Sequence, residues 1–386
     1  MYDIEKLRQT EFPISQDYIY FNHASISPLP VRSQEQMIWV IEQLACQPIN
    51  FWMDHGAPMG DKLKERAAGF INASSPQEIV PVTTTSAALN MVAQAINWQP
   101  GDNIVFYEQE FPSNAYPWMS LERDGVEIRL VPGKDGGLTV AEMEPFVDGR
   151  TRLIAVSAIQ FFSGHKADLM ALGQYCHEHD ILFVVDAIQA IGHMKIDVQA
   201  MHIDVLACGG QKSILSAPGT GLLYVRDDVA ASLRPRQIHS NATVDFLHWL
   251  AYDLTFRPGA DRFSSGTPNL PGLFATHASL GLLAELGVTN IDRHTTALAD
   301  AAIEMLTKMG YDIVTPVSAH GPIVTFKSGL SAEATDDLVT RLREHKVSIV
   351  KHLDAAGAAY LRLSFHCYNT LAELDQFWAI FSRVRN

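Results

Sequence analysis

Residues 181–225 decide the fold. They open with ILFVVD (181–186), continue through AIQA (187–190), and later pass VLACGGQKS (205–213) and GTGLLYV (219–225). The apolar runs are short, rich in Val, Leu and Ile, and do not alternate with polar residues. Strands buried on both faces read this way. Two reactive side chains interrupt the pattern. Asp186 ends the first run, and Lys212 sits beyond a glycine pair after the second.

Outward from this core, NIVFY (103–107), EIRLVP (127–132) and RLIAVS (152–157) read as further strands. The stretches 87–97 and 167–179 read as helices between them. Strands alternating with helices predict an α/β fold, a mostly parallel sheet covered on both sides. The last third differs. Helices are expected at 273–286, 295–309, 332–344 and 371–384, and short strands at 323–326, 347–350 and 360–365. This is a smaller α+β unit. The expected division is a large domain over 30–262 and a small one built from 1–29 and 263–386.

The chain has 386 residues and a net charge of −14 from 29 basic and 43 acidic side chains. Hydrophobic residues at 47% and charged ones at 19% suit a core-forming chain. The acidic balance argues against nucleic acid as the main partner, because phosphate neutralisation needs a basic surface. Cys46, Cys176, Cys208 and Cys367 stand apart, with no CxxC and no zinc spacing, so no metal site is expected. Isolated thiols and the absence of an apolar leader or an 18-residue apolar run fit a cytoplasmic protein with no membrane partner.

Ligands of doubly wound sheets sit at the carboxyl ends of strands. Thr83-Thr84-Thr85-Ser86 follows VPV (80–82) and opens a helix, as an anion site or an ordinary N-cap would. Asp186, at the buried end of a central strand, needs a cation or a protonated ring nitrogen, or else caps a helix. Lys212 between apolar strands is either a desolvated Schiff-base lysine or a solvated loop residue. Arg362 in YLRLS (360–364) meets a ligand carboxylate or a structural one. No G-x-G-x-x-G, P-loop, G-x-S-x-G or H-E-x-x-H motif is present.

In this order, with the loop EFPSN (110–114), RFSSGTPN (262–269) and the closing YNT (368–370), the chain resembles the class V aminotransferase and cysteine desulfurase family. These are fold type I enzymes dependent on pyridoxal 5'-phosphate. The resemblance implies a seven-stranded-type sheet sandwiched by helices, plus the smaller C-terminal domain. It places the Schiff base on Lys212 and sets Asp186 against the pyridine nitrogen. Gln189 or Gln160 falls near the phenolic oxygen. Thr85, Ser86 and the Ala87 backbone fall on the phosphate. Phe111 takes the place of a stacking histidine, and Gln211 that of the histidine before the lysine. Gly266 and Thr267 match a segment sent across a homodimer interface into the neighbouring active site. Arg362 matches the clamp on the substrate α-carboxylate, and His23, in YFNHA (20–24), is also assigned to substrate binding.

SGHK (163–166) is a decoy. Desulfurases use that string around their lysine, but Lys166 precedes Asp186 here, whereas the family's lysine follows it. A second departure is the absence of cysteine between Val347 and Arg362, where desulfurases carry their nucleophile. The expected activity is therefore that of an aminotransferase acting on a small amino acid. A carbon–sulfur lyase or epimerase is the alternative, and a catalytically silent binding homologue is the reading outside enzymes.

Overall fold

The computed structural model describes residues 2–245 and 247–385. Seven strands form the main sheet: β1 (Ile79–Val82), β2 (Asn103–Tyr107), β3 (Glu127–Val131), β4 (Thr151–Ser157), β5 (Leu182–Asp186), β6 (Val205–Gly209) and β7 (Gly221–Val225). Their spatial order is β1-β7-β6-β5-β4-β2-β3. Only β7 runs against its neighbours; the other pairs are parallel. β1 is an edge strand, where Pro81 costs no ladder bond that a central strand would need.

Helices that cover the sheet include α1 (Val31–Cys46), α2 (Ala57–Ile71), α3 (Thr85–Ala95), α4 (Leu169–Glu178) and α5 (Leu270–Leu286), on which α1 packs. Successive strand residues point to opposite faces. Val105, Ile154, Phe183 and Leu206 meet Leu63, Leu172 and Phe274 on one face. Ile104, Leu153, Val184 and Val205 meet Ala88, Leu89 and Val92 of α3 on the other. Each large apolar side chain so buried contributes about 1.5–3 kcal/mol, so both faces must be covered.

Beyond α5 the chain re-enters a helix at once, because Gly287 adopts φ 79° and ends α5 without a loop. This is why α6 (Val288–Lys308) starts well before the expected residue 295. β8 (Ile323–Lys327), α7 (Ala332–Glu344), β9 (Val350–Leu353), β10 (Ala359–Ser364) and α8 (Leu371–Arg385) complete the chain. The second sheet has the order β9-β10-β8 and is antiparallel. Near the N-terminus, Ile19–Tyr20 pairs with Val347–Ser348, and Phe21 packs on Phe365 and Phe377 of this region. Among the described residues no helix is long and apolar enough to cross a membrane.

The carboxyl ends of β1, β2, β4, β5 and β6 all lie at one edge of the sheet, as their shared direction requires. The second sheet brings β10 and Arg362 to that edge, where Arg362 bonds the Phe161 carbonyl just after β4.

Close packing of α4 supports this arrangement. A Cβ on Gly173 would overlap the carbonyl oxygen of Met201. Alanine inside a helix normally gains about 1 kcal/mol over glycine. Here the sign reverses, and Gly173→Ala is expected to destabilise by about 1–3 kcal/mol. The check is a lower urea midpoint at unchanged slope; a midpoint equal to or above wild type refutes the close approach.

Candidate active site

A cavity of about 420 Å³ opens at that edge. The sequence-expected residues that line it are Thr85, Ser86, Phe111, Asp186, Gln211, Lys212 and Arg362. Ala24, Ser25, Thr84, Ser113, Phe161, Ile188 and His352 complete the wall.

Lys212 follows β6 in a loop braced from several sides. Ser27 N–H donates to the Gln211 carbonyl (2.8 Å), Ser213 Oγ donates to the Ile188 carbonyl (2.8 Å), and His366 Nε2 donates to the Ser213 carbonyl (3.0 Å). His366 Nδ1 accepts the Cys367 N–H (2.8 Å), which fixes that tautomer. The lysine is 8% exposed, and burial pushes its ammonium down to about 8 against the opposing pull of Asp186. Its Nζ lies 5.0 Å from the centre of the Phe111 ring. Asp186 closes β5 and is 2% exposed. Its Oδ1 accepts the Ile188 N–H (3.0 Å), and burial lifts the carboxyl to about 6.

The hydroxyl run forms the start of α3. Thr84 Oγ1 accepts the Ala87 N–H (3.0 Å) as the N-cap. This corrects the expectation for Ala87: its N–H is engaged by the cap, and Ala87 does not line the cavity. Thr85 Oγ1 is buried with no hydrogen-bond partner, at a helix start that favours an anion. Ser86 Oγ meets Ser113 Oγ at 2.7 Å.

Arg362 is the sharpest feature. It is 2% exposed, donates from Nη1 to the Phe161 carbonyl (2.7 Å) and from Nη2 to Ser25 Oγ (2.8 Å), and leaves Nε buried without a partner. Among the described residues no carboxylate pairs with it. Burial alone pushes its guanidinium down to about 9. A buried cation without an anion is costly, so the structural salt bridge left open by the sequence is not its purpose.

Other expected residues lie elsewhere. Gln189 is buried and donates to the Ala24 carbonyl (2.9 Å), so it holds the cavity wall without lining it. Gln160 donates to Glu110 (2.7 Å), and its Oε1 is buried without a partner. An acceptor in that state does not suit a phenolate oxygen. His23 lies behind the wall, with Nδ1 on Ser27 Oγ (3.0 Å) and its ring against His366 and Tyr368. Its neighbour Ser25 faces the cavity instead. Gly266 and Thr267 line a separate cavity of about 280 Å³, together with Thr83, Gly219 and Arg257. Lys166 is paired with Asp292 (2.8 Å), outside the site cavity.

Sequence reasoning missed Ser25, Ser113, Phe161, His352 and Glu110. Glu110 is buried and lifted to about 7, mainly by burial. It accepts bonds from the Ser157 N–H (2.8 Å) and Gln160, tying the exits of β2 and β4 together. The EFPSN motif pointed toward Glu110 and Ser113. Nothing local marks His352.

The carboxyl-end crevice of a mostly parallel sheet, holding a desolvated lysine, a buried carboxylate and an anion cradle, defines a fold type I cofactor enzyme. A family model, aminotransferase class-V, matches residues 54–377. A probable cysteine desulfurase of Methanothermobacter thermautotrophicus is 32% identical, over 95% of this chain and 94% of its own. In fold the chain is similar to an apo cysteine desulfurase of Thermococcus onnurineus NA1, with TM-score 0.88, 24% identity, and coverage of 100% of this chain and 98% of that one. It is also similar to C-DES, solved with glycine covalently linked to its PLP cofactor, with TM-score 0.88, 18% identity and coverage of 98% and 99%. The chain belongs to the class-V aminotransferase family.

Membership brings the cofactor pyridoxal 5'-phosphate with it, and the residues fit. The orphaned Thr85 hydroxyl at a helix start suits the phosphate, the buried Asp186 suits a protonated ring nitrogen, and Lys212 suits the aldehyde. The neutral amine is the nucleophile. With Lys212 held near 8, the rate at which apoprotein captures pyridoxal phosphate should rise as pH climbs through about 8 and level off above it. Stopped-flow absorbance checks the profile. Borohydride reduction should then leave the pyridoxyl mass on Lys212; mass on Lys166 refutes the assignment.

Proposed function

We propose that this chain breaks the carbon–sulfur bond of a small cysteine-like α-amino acid by elimination, without a persulfide on a cysteine of its own. The observation that carries the amino-acid part is Arg362, a buried guanidinium whose unpartnered Nε–H awaits a carboxylate. The sulfur part is supported by the similarity to a probable cysteine desulfurase. The absence of a protein persulfide is supported by the cysteines. Cys176, Cys208 and Cys367 are buried, Cys46 is exposed at the end of α1, and none lines the cavity. Burial pushes the Cys367 thiol far up, away from the thiolate that sulfur attack requires.

In this reading each residue has a task. Thr85 and Ser86 would hold the phosphate, Asp186 would keep the ring nitrogen protonated, and Phe111 would lie against the ring. When bound, the cofactor withdraws electrons from the substrate Cα and makes its proton acidic. Arg362 holds the α-carboxylate and so fixes which Cα bond reacts. Lys212, whose neutral amine is favoured by burial, would take the Cα proton as general base. The Cβ–S pair then leaves with sulfur. For cysteine the balance is cysteine plus water giving pyruvate, ammonia and hydrogen sulfide. An aminotransferase shares every step through loss of the Cα proton and differs only afterwards.

A product screen separates the two. Purified protein incubated with an amino-acid panel, with and without 2-oxo acids, should release pyruvate and sulfide from L-cysteine with no acceptor added. Amino transfer that depends on a 2-oxo acid, without sulfide, would establish the aminotransferase and remove the lyase.

The site is also proposed to be shared within a homodimer. Gly266 and Thr267 sit away from their own chain's cavity, and Val244, Leu247, Trp249, Leu250, Tyr252 and Leu254 are exposed. Leu250 is 100% exposed. Apolar surface of this kind marks an interface, and two-fold symmetry would offer each loop to the other's site. Mixing Lys212→Ala chains with Thr267→Arg chains should recover activity, because one of the two sites in a heterodimer is then whole. Heterodimers that form yet stay inactive would show that each chain completes its own site.

A further inference from the structure

The wall of the cavity holds one titratable side chain that the mechanism has not used. His352 lies on β9, antiparallel to β10, in register opposite Tyr360 and two residues from the partner of Arg362. Opposed residues and those two apart share a face, so the imidazole and the guanidinium face the same cavity, and both line it. The ring is clamped edge-on by Phe161 (6.0 Å) and Phe162 (5.8 Å). Its Nε2 is shielded from solvent and has no hydrogen-bond partner.

Several other polar groups of the wall are committed. Ser25 is bonded to Arg362, Ser86 to Ser113, and Thr84 to its own helix. Asp186 and Lys212 face the ring and the Cα in the proposed function. A substrate whose carboxylate sits on Arg362 therefore presents its β-substituent to a wall of Phe161, Phe111 and His352. His352 also lies in the same segment, between Val347 and Arg362, that carries no cysteine.

Resting on the carbon–sulfur reading above, we infer that His352 is a catalytic residue that grips the departing sulfur, its ring N–H donating a hydrogen bond to the thiolate as the Cβ–S bond breaks. The electron pair of that bond leaves with sulfur, and solvent supplies the proton that completes the thiol. No proton leaves the imidazole and no oxidant is needed. Burial, with Arg362 beside it, pushes the ring down to about 4, so it stays neutral and adds no second cation there, and the tautomer that carries its proton on Nε2 is the one that donates.

The test varies the leaving group. Wild type, His352→Phe and His352→Gln are each assayed for pyruvate with L-cysteine and with β-chloro-L-alanine, whose chloride needs no such donor. Removing a hydrogen bond to developing charge costs about 100-fold, so His352→Phe should lose about that much kcat on cysteine and under about 5-fold on β-chloro-L-alanine. His352→Gln, which restores a donor, should recover about 10-fold of the cysteine loss. Retained elimination from β-chloro-L-alanine also shows that the variant is folded and loaded. Equal losses on both substrates, or full cysteine activity in His352→Phe, overturn the role of His352 and leave the lyase standing. A wild-type protein that releases no sulfide from cysteine overturns the lyase reading and this role with it.

Discussion

A guanidinium buried without an anion sets the terms for the rest of this molecule. Arg362 is on β10 of the smaller sheet, yet its Nη1 and Nη2 donate to the Phe161 carbonyl, from the loop after β4, and to Ser25 of the N-terminal segment. Three distant parts of the chain thus converge on one cation. Carbonyl and hydroxyl oxygens offset part of the desolvation but carry no full negative charge, and the unpartnered Nε records the remainder. The fold tolerates this because its two large hydrophobic faces are complete elsewhere. A carboxylate bound there would offset that cost.

The same logic governs the other two charges. Lys212 and Asp186 are each driven toward neutrality by burial and each held back by the other. The loop that carries Lys212 has little freedom, since Ser27, Ile188 and His366 brace it through backbone groups. His23, His193 and His366 form a buried aromatic layer behind it, all held neutral, mainly by burial. Neutral rings add packing and hydrogen bonds without further positive charge near Lys212 and Arg362. A rigid lysine with a depressed pKa is the state that nucleophilic capture of an aldehyde requires.

Much of the architecture was legible in one dimension. Strands buried on both faces cannot alternate, so ILFVVD, NIVFY and RLIAVS declared themselves by composition, and their alternation with amphipathic stretches dictated a parallel sheet. Asp186 and Lys212 stood out because a charge next to such a run must have a reason. The order of motifs carried the family. Helix limits were less secure where one glycine replaces a loop, as at Gly287 between α5 and α6.

What the sequence could not supply was contact across the fold. His352 and Arg362 are brought to one face by the register of β9 on β10, and no local spacing encodes that pairing. Ser25 reaches the cavity, and His23 does not, because the pairing of Ile19–Tyr20 with Val347–Ser348 sets how the N-terminal segment lies. Ala87 lost its place because Thr84, one turn earlier, claimed its N–H as a cap. Sequence determined which residues had to be buried, since burial follows local hydrophobic pattern. Tertiary structure alone decided which buried polar groups were left unpaired and aimed at a common space, since hydrogen-bond partners come from anywhere in the chain.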